Sequence, residues 1–331
     1  MFTISLKQKR WLLLLQITIS ATALFYVVHK ILIFEHWNNF FYWINDNNKT
    51  FIWLIIIQLL LSFINISLET LKWRLLTSLL ERSTFFESLK QVLNGILIGM
   101  LTPAKLGEPF GKAMLLKKGN RLQGIILSFA GSVFQNIIII VAGITAFFVL
   151  QKYFFRFGSL YPILMEKIVF YVFLPTIVVI PILWAAYKLL LSWKKKSRIS
   201  RVGLYLRVLK KIDRRKLAKY LLFTTLRYLI FVFQFWIVLK FFNIIEIPLQ
   251  LWLIPFYYLI ITFLPTVAFA DLGVRSSAAL LIFGMVSDNS AAILSSTLII
   301  WLFNMALPAM SNFFLKFLPK SILKKSIFVN L

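Results

Sequence analysis

Residues 91–121 read QVLNGILIGMLTPAKLGEPFGKAMLLKKGNR, and the way this stretch meets a bilayer decides the fold. Its first part, residues 91–101, is uncharged and apolar, with Asn94, Gly95 and Gly99 inside it and Pro103 just beyond. At 1.5 Å per helical residue it reaches about 16 Å, roughly half of a hydrocarbon core of about 30 Å. A segment of that length enters a membrane and has to turn back. The remainder carries Lys105, Glu108, Lys112, Lys117, Lys118 and Arg121 among helix breakers. Lipid offers no partners for such charges or for irregular backbone, so the segment must be buried in protein or line a polar cavity. The economical reading is a re-entrant hairpin over residues 91–118, with its charged limb as the candidate substrate contact.

The surrounding chain supports a membrane setting. Of 331 residues, 60% are apolar and 17% aromatic, and several uncharged runs reach the roughly 20 residues that a spanning helix needs. Six spans are expected, at Trp11–Val28, Phe51–Leu68, Leu122–Gln151, Ile168–Leu191, Tyr220–Phe242 and Ala291–Leu315. Ala21-Thr22-Ala23 imitates a cleavage site, but the apolar run continues past it to Val28, so the first run reads as an uncleaved span. Gly124, Gly131 and Gly143 mark close-packing positions in the third span, with Gln135 and Asn136 as its interior polar pair. Two half-length apolar pieces, residues 248–264 and 272–286, flank a second cluster of Pro265, Asp271, Gly273 and Arg275. They read as a second re-entrant element over residues 248–286, in which Asp271 and Arg275, four apart, pair on one helix face. The expected fold is all-α: a single polytopic domain over residues 1–331, with about six full spans and two re-entrant half-helix elements of opposite orientation.

Charge sets the expected orientation. The formal net charge is +26, from 37 Lys and Arg against 11 Asp and Glu, and basic residues collect on the cytoplasmic side of a membrane protein. With both termini inside the cytoplasmic membrane, only Lys30, Lys49, Lys152, Arg156, Lys167 and Lys240 fall outside, and Arg227 and Arg275 stay within the membrane. A full crossing by residues 91–101 would turn the densely basic block at residues 188–219 outward. In that block Ile199, Val202, Leu206, Leu209 and Ile212 recur at helical spacing, as in an amphipathic helix lying on anionic lipid. The charge excess therefore reports topology and lipid contact, and nucleic acid is not an expected partner. Glu69 and Lys72 read as an interfacial ion pair, and snorkelling accounts for Arg227 as well as function does.

Several chemistries find no footing. There is no cysteine, and His29 and His36 stand without a carboxylate pair at metal-site spacing, so neither a metal nor another cofactor is expected. No nucleophile–base constellation argues for an enzyme, and no GxxxxGK[ST] motif argues for ATP.

Pro103-x-Lys105-x-Gly107-Glu108-x-x-x-Lys112, followed by Leu264-Pro265 and Asp271-Leu272-Gly273-Val274-Arg275, resembles the lysylphosphatidylglycerol synthase transmembrane, or flippase-like, family. Lys105 and Lys112 stand where that family carries arginines, Asp271 where a Gly is usual and Ser276 where a Glu is usual. The resemblance implies a multi-span fold with two re-entrant elements, without the soluble aminoacyl-transfer domain of bifunctional members. It implies a role in moving or presenting an anionic phospholipid or lipid-linked intermediate. On that expectation Lys105, Glu108, Lys112, Lys117, Lys118, Arg227, Asp271 and Arg275 bind substrate, and Pro103, Gly107, Pro265 and Gly273 shape the turns. Lys105, Glu108 and Lys112 would face Asp271 and Arg275 across one buried cavity. The alternative is a non-catalytic accessory protein that binds lipid and organises a cell-envelope glycosyltransferase or synthase.

Overall fold

A computed structural model describes residues 47–100, 102, 105–156, 208–209, 212–264 and 270–311, and every regular element among them is helical. In chain order these are α1 (Asn48–Thr77), α2 (Phe85–Met100), α3 (Gly107–Met114), α4 (Arg121–Arg156), α5 (Arg214–Phe241), α6 (Leu253–Phe263), α7 (Ala270–Phe283) and α8 (Ser290–Trp301). A π-helical turn, Leu302–Ala306, continues α8. Four helices are long and apolar enough to cross a membrane, over Asn48–Thr77, Lys118–Gln151, Arg214–Phe241 and Ser290–Ser311. They coincide with four of the expected spans. The other two, Trp11–Val28 and Ile168–Leu191, lie outside the described residues, as do Pro103 and Pro265.

Local chemistry fixes where several helices begin. Thr84 and Glu87 form a reciprocal box at the start of α2: the Thr84 N–H donates to the Glu87 carboxylate at 2.8 Å and the Glu87 N–H to the Thr84 hydroxyl at 3.3 Å. Asp213, the lone acid of the basic block, accepts from the Lys216 N–H at 2.8 Å and caps α5. Asn289 does the same for α8, accepting from the Ala292 N–H at 3.1 Å.

The long helices carry their polar side chains inward. On α1, Gln58, Ser62, Asn65, Glu69 and Lys72 recur at spacings of four and three and all are buried, while Trp53, Leu60 and Phe63 are exposed. The same spacing puts Leu222, Leu226, Leu229 and Phe233 of α5 on an outer face. An apolar exterior around a polar seam suits lipid, where water does not drive helices together and interhelical hydrogen bonds help hold them. Gln58 donates to the Gln234 carbonyl of α5 at 3.0 Å, and Ser62 to the Phe303 carbonyl at 2.6 Å. The second bond explains the π turn. There the Leu307 N–H reaches back five residues to Leu302, so position 308 would serve Phe303 next. Residue 308 is a proline without an N–H, and the Ser62 hydroxyl takes its place.

Helices α2 and α3, of 16 and 8 residues, form a tight antiparallel pair whose limbs reach about 24 and 12 Å. Three glycines make the contact possible. A Cβ on Gly111 would stand 2.7 Å from the Asn94 carbonyl oxygen and 2.8 Å from the Gly95 Cα, and one on Gly95 would meet Lys112 Cγ at 2.5 Å. A Cβ on Gly99 would stand 3.0 Å from Glu108 Cβ. The Asn94 amide donates across the pair to the Gly111 carbonyl at 2.7 Å. At the reversal the Thr102 hydroxyl accepts from the Gly107 N–H at 2.8 Å, and Lys105 takes a left-handed backbone conformation with φ 56°.

On the other side, α6 is buried all round from Leu253 to Ile261, the pattern of a helix enclosed by protein. Leu259 sits directly on Gly143 of α4, the Tyr220 ring on Gly131 and Leu116 on Gly124, so all three expected packing glycines receive bulky neighbours. Gln135 turns inward, whereas Asn136, one helical step away, is exposed, which corrects the expectation of an interior pair. The expected lipid-facing stripe over residues 199–212 is also revised in part. Val208 is buried against Leu76, Leu127 and Tyr220, with Leu209 and Ile212 packed beside it, so this end of the stripe covers the bundle itself.

Gly111→Ala is expected to lower stability by about 1–3 kcal/mol, the usual cost of overpacking against atoms that cannot move aside. Gly119→Ala, with nothing within 4 Å of the new methyl, is the control expected to leave stability unchanged. Thermal unfolding of the purified variants in detergent reads both.

Candidate functional site

The polar seam of α1 converges on Glu69. Its carboxylate accepts from Lys112 Nζ at 2.6 Å, from Arg227 Nη1 at 2.7 Å and from Lys72 Nζ at 3.0 Å. These cations come from α3, α5 and α1. Gln135 of α4 adds a fourth helix, its amide oxygen accepting from Arg227 at 2.8 Å and from Lys72 at 3.2 Å. Arg227 Nε also donates to Asn65 at 2.7 Å, and Asn65 donates to Asn304 in the π turn at 2.9 Å. Lys112 is held a second time by Glu108, one turn earlier on α3, at 2.7 Å. Lys72, Lys112 and Glu69 are 2%, 4% and 6% exposed.

Aromatic rings complete the enclosure. Lys72 lies over the Tyr220 ring at 5.3 Å and Lys112 over the Trp73 indole at 5.8 Å, distances at which a ring quadrupole attracts a cation. The Trp73 N–H donates to Gln91 of α2 at 2.6 Å, which fixes the indole and ties α1 to the short hairpin.

The second motif forms its own pair. Arg275 Nε donates to Asp271 Oδ2 at 2.8 Å, one turn apart on α7, and Arg275 also interacts with Tyr257 of α6. Lys105 stands half-buried at the hairpin's reversal, within electrostatic reach of Arg275 and Asp271 and of Glu108 and Arg227. It makes none of the ion pairs found among the described residues.

Of the expected site residues, Glu108, Lys112 and Arg227 join one ion-pair cluster through Glu69, Asp271 and Arg275 form a separate pair, and Lys105 is within electrostatic reach of both. Gly107 is buried at the start of α3, against Thr102, and Gly273 is buried on α7. Lys117 and Lys118 stand apart from the cluster. Both side chains are exposed at the end of the bundle, where Glu81 accepts from the Lys117 N–H and from Asn120. Arg227 does not snorkel; its guanidinium points into the seam. The Glu69–Lys72 pair exists but is buried rather than interfacial, and Glu69 is the residue whose weight the sequence reading missed. One signal was available: Glu69 continues the polar series Gln58, Ser62 and Asn65 on one face of α1.

The whole group holds five cations, Lys72, Lys105, Lys112, Arg227 and Arg275, against three anions, Glu69, Glu108 and Asp271. An enclosed surplus of positive charge, with one ammonium outside the ion pairs, suits an anion that arrives from elsewhere. No grouping of three or more His, Cys, Asp or Glu with metal-binding geometry occurs among the described residues.

Removing one partner of a buried ion pair leaves an uncompensated charge and costs about 3–5 kcal/mol. Glu69→Ala is expected to lose that much stability and Lys118→Ala almost none, read by unfolding in detergent.

No curated protein and no solved structure matches this chain. A family does: the lysylphosphatidylglycerol synthase TM region matches residues 13–311, nearly the whole sequence. With membrane-length helices around a polar seam and a family match over nearly its whole length, the chain belongs to the lysylphosphatidylglycerol synthase TM region family.

Proposed function

We propose that this membrane protein translocates a lipid with an anionic headgroup, taking the headgroup between its two charged motifs, with Lys105 as first contact. Lys105 carries the reading. It lies within electrostatic reach of Glu108 and Arg227 and of the Asp271–Arg275 pair, belongs to no ion pair among the described residues, and holds φ 56° where a glycine would sit without strain. A strained side chain retained at a charged reversal is a functional candidate.

Two observations support the membrane arrangement. Neither α2 nor α3 is long enough to cross, and α6 and α7, of 11 and 14 residues, fall short of the roughly 20 that a span needs. In this reading the α2–α3 pair enters from the cytoplasmic face and the α6–α7 pair from the opposite one, and the broken helices meet at the binding site, as in inverted-repeat transporters. The end of the bundle bearing Lys117, Lys118 and Arg121 faces the cytoplasm, by the excess of basic residues there. The protein moves or presents its lipid and does not alter it chemically. Partner exchange among the buried charges accompanies the change of access.

Vesicles containing the purified protein, with an anionic and a zwitterionic phospholipid bearing the same label, test the reading. A hydrogen bond to a charged group is worth about 1.5–3 kcal/mol, so Lys105→Gly is expected to slow movement of the anionic lipid by roughly tenfold to a hundredfold. Relief of the left-handed strain should leave its folding unimpaired or improved. Equal rates for wild type and Lys105→Gly overturn the proposal. Co-purification of a fixed envelope enzyme, with no lipid movement by the protein alone, would favour an accessory role.

A further inference from the structure

The geometry points to a built-in competitor: Glu69 occupies a cationic cradle formed by Lys112 and Arg227 that also receives the phosphate of the lipid headgroup. This inference rests on the translocation reading and adds the site where the phosphate is held and the side chain it displaces.

A carboxylate and the terminal phosphate of an anionic lipid present the same kind of face to cations, anionic oxygens that accept converging hydrogen bonds, without the tethered ammonium that a phosphatidylcholine headgroup would bring into a cationic cradle. Glu69 already shows how the cradle meets such a face. Its Oε1 takes Lys112 at 2.6 Å and its Oε2 takes Arg227 at 2.7 Å. The two cations come from different elements, α3 and α5, and Glu69 comes from a third, α1. Nothing local obliges them to meet. Glu108, by contrast, binds Lys112 from one turn away on the same helix, and its side chain is 28% exposed. It is a local partner of Lys112, not an occupant of the cradle.

Departure of Glu69 leaves little behind that is unsatisfied. Lys72, three residues along α1, moves with Glu69 when α1 shifts and keeps its 3.0 Å contact. Asn65 leaves on the same helix, but Arg227 retains Gln135 of α4 as an acceptor, and Lys112 retains Glu108. The incoming anion replaces one carboxylate at Lys112 and Arg227, so the charge of the enclosed group is restored. The backbone allows the approach, because Lys112 passes directly over Gly95, where a Cβ would meet its Cγ at 2.5 Å. Lys105 lies within electrostatic reach of Glu108 and Arg227 and stands at the entry to this site.

The test follows thermal unfolding of purified wild type and Glu69→Gln in uncharged detergent during titration with dioctanoyl phosphatidic acid, dioctanoyl phosphatidylcholine or inorganic phosphate. Glu69→Gln is expected to start less stable. Phosphatidic acid should raise its midpoint by more than it raises that of wild type and act at a concentration at least tenfold lower, with Arg227→Gln in the same background abolishing the gain. Glu69→Asp, a shorter carboxylate unable to reach both cations, is expected to show an intermediate gain and provides the reading if Glu69→Gln does not fold.

A merely structural Glu69 predicts destabilised variants that phosphatidic acid rescues no better than wild type, and that result overturns the inference. Inorganic phosphate acting as well as phosphatidic acid overturns its assignment to a lipid headgroup. Lipid movement by wild type with no tighter binding by either variant removes the cradle alone. Tighter binding by the variants in a protein that moves no lipid supports the cradle and removes the translocation reading.

Discussion

A carboxylate enclosed among membrane helices has neither water nor lipid to stabilise it, and its position is tolerable only where cations reach it. Glu69 meets that condition with cations drawn from three helices, and the requirement propagates outward. Lys112 arrives only because α3 lies against α2 at backbone distance, which Gly95, Gly99 and Gly111 permit. Arg227 arrives only because α5 runs antiparallel to α1, with Gln58 and the Gln234 carbonyl matched farther along the same seam. Gln135 brings α4 to both Lys72 and Arg227. The charged site and the helix packing are thus one arrangement.

In the translocation reading, a polar seam held by many hydrogen bonds can change partners without exposing new apolar surface. Interhelical hydrogen bonds in a bilayer contribute individually about 0.6 kcal/mol, up to 1–2, so a ligand with comparable acceptors competes with them. The π turn beside Pro308 belongs to the same economy, since its free carbonyl is held by a serine hydroxyl from another helix. In the same reading Lys105, whose backbone is strained and whose ammonium belongs to no ion pair among the described residues, makes the first contact with the headgroup.

What the sequence disclosed followed the range of the interaction. The Asp271–Arg275 pair is four residues long and was legible from spacing. The short α2–α3 pair was legible in part, from its glycines and its charges; its length was not, since the uncharged run marks only residues 91–101, whereas α2 begins at Phe85 and has 16 residues. Glu69 was not, because its partners Lys112 and Arg227 lie 43 and 158 residues away. Counting charges by side assigned Lys72 and Lys112 to the cytoplasm, since a count does not separate a solvated lysine from one enclosed beneath an aromatic ring. Asn136 was misread for the opposite reason. Beside Gln135 in sequence, it points about 100° away around the helix, toward the outside. Composition likewise could not show that Val208 and its neighbours cover the bundle instead of lipid.

Whether Glu69 couples α5 to the short hairpin through a shared ion cluster is decided by a double-mutant cycle between Glu69→Gln and Arg227→Gln, measured as unfolding free energy in detergent. Contacting charges predict a coupling of about 1–3 kcal/mol, with the double variant losing less than the two single losses combined. Losses that add to within about 0.5 kcal/mol would place the two side chains apart and rule out the shared cluster.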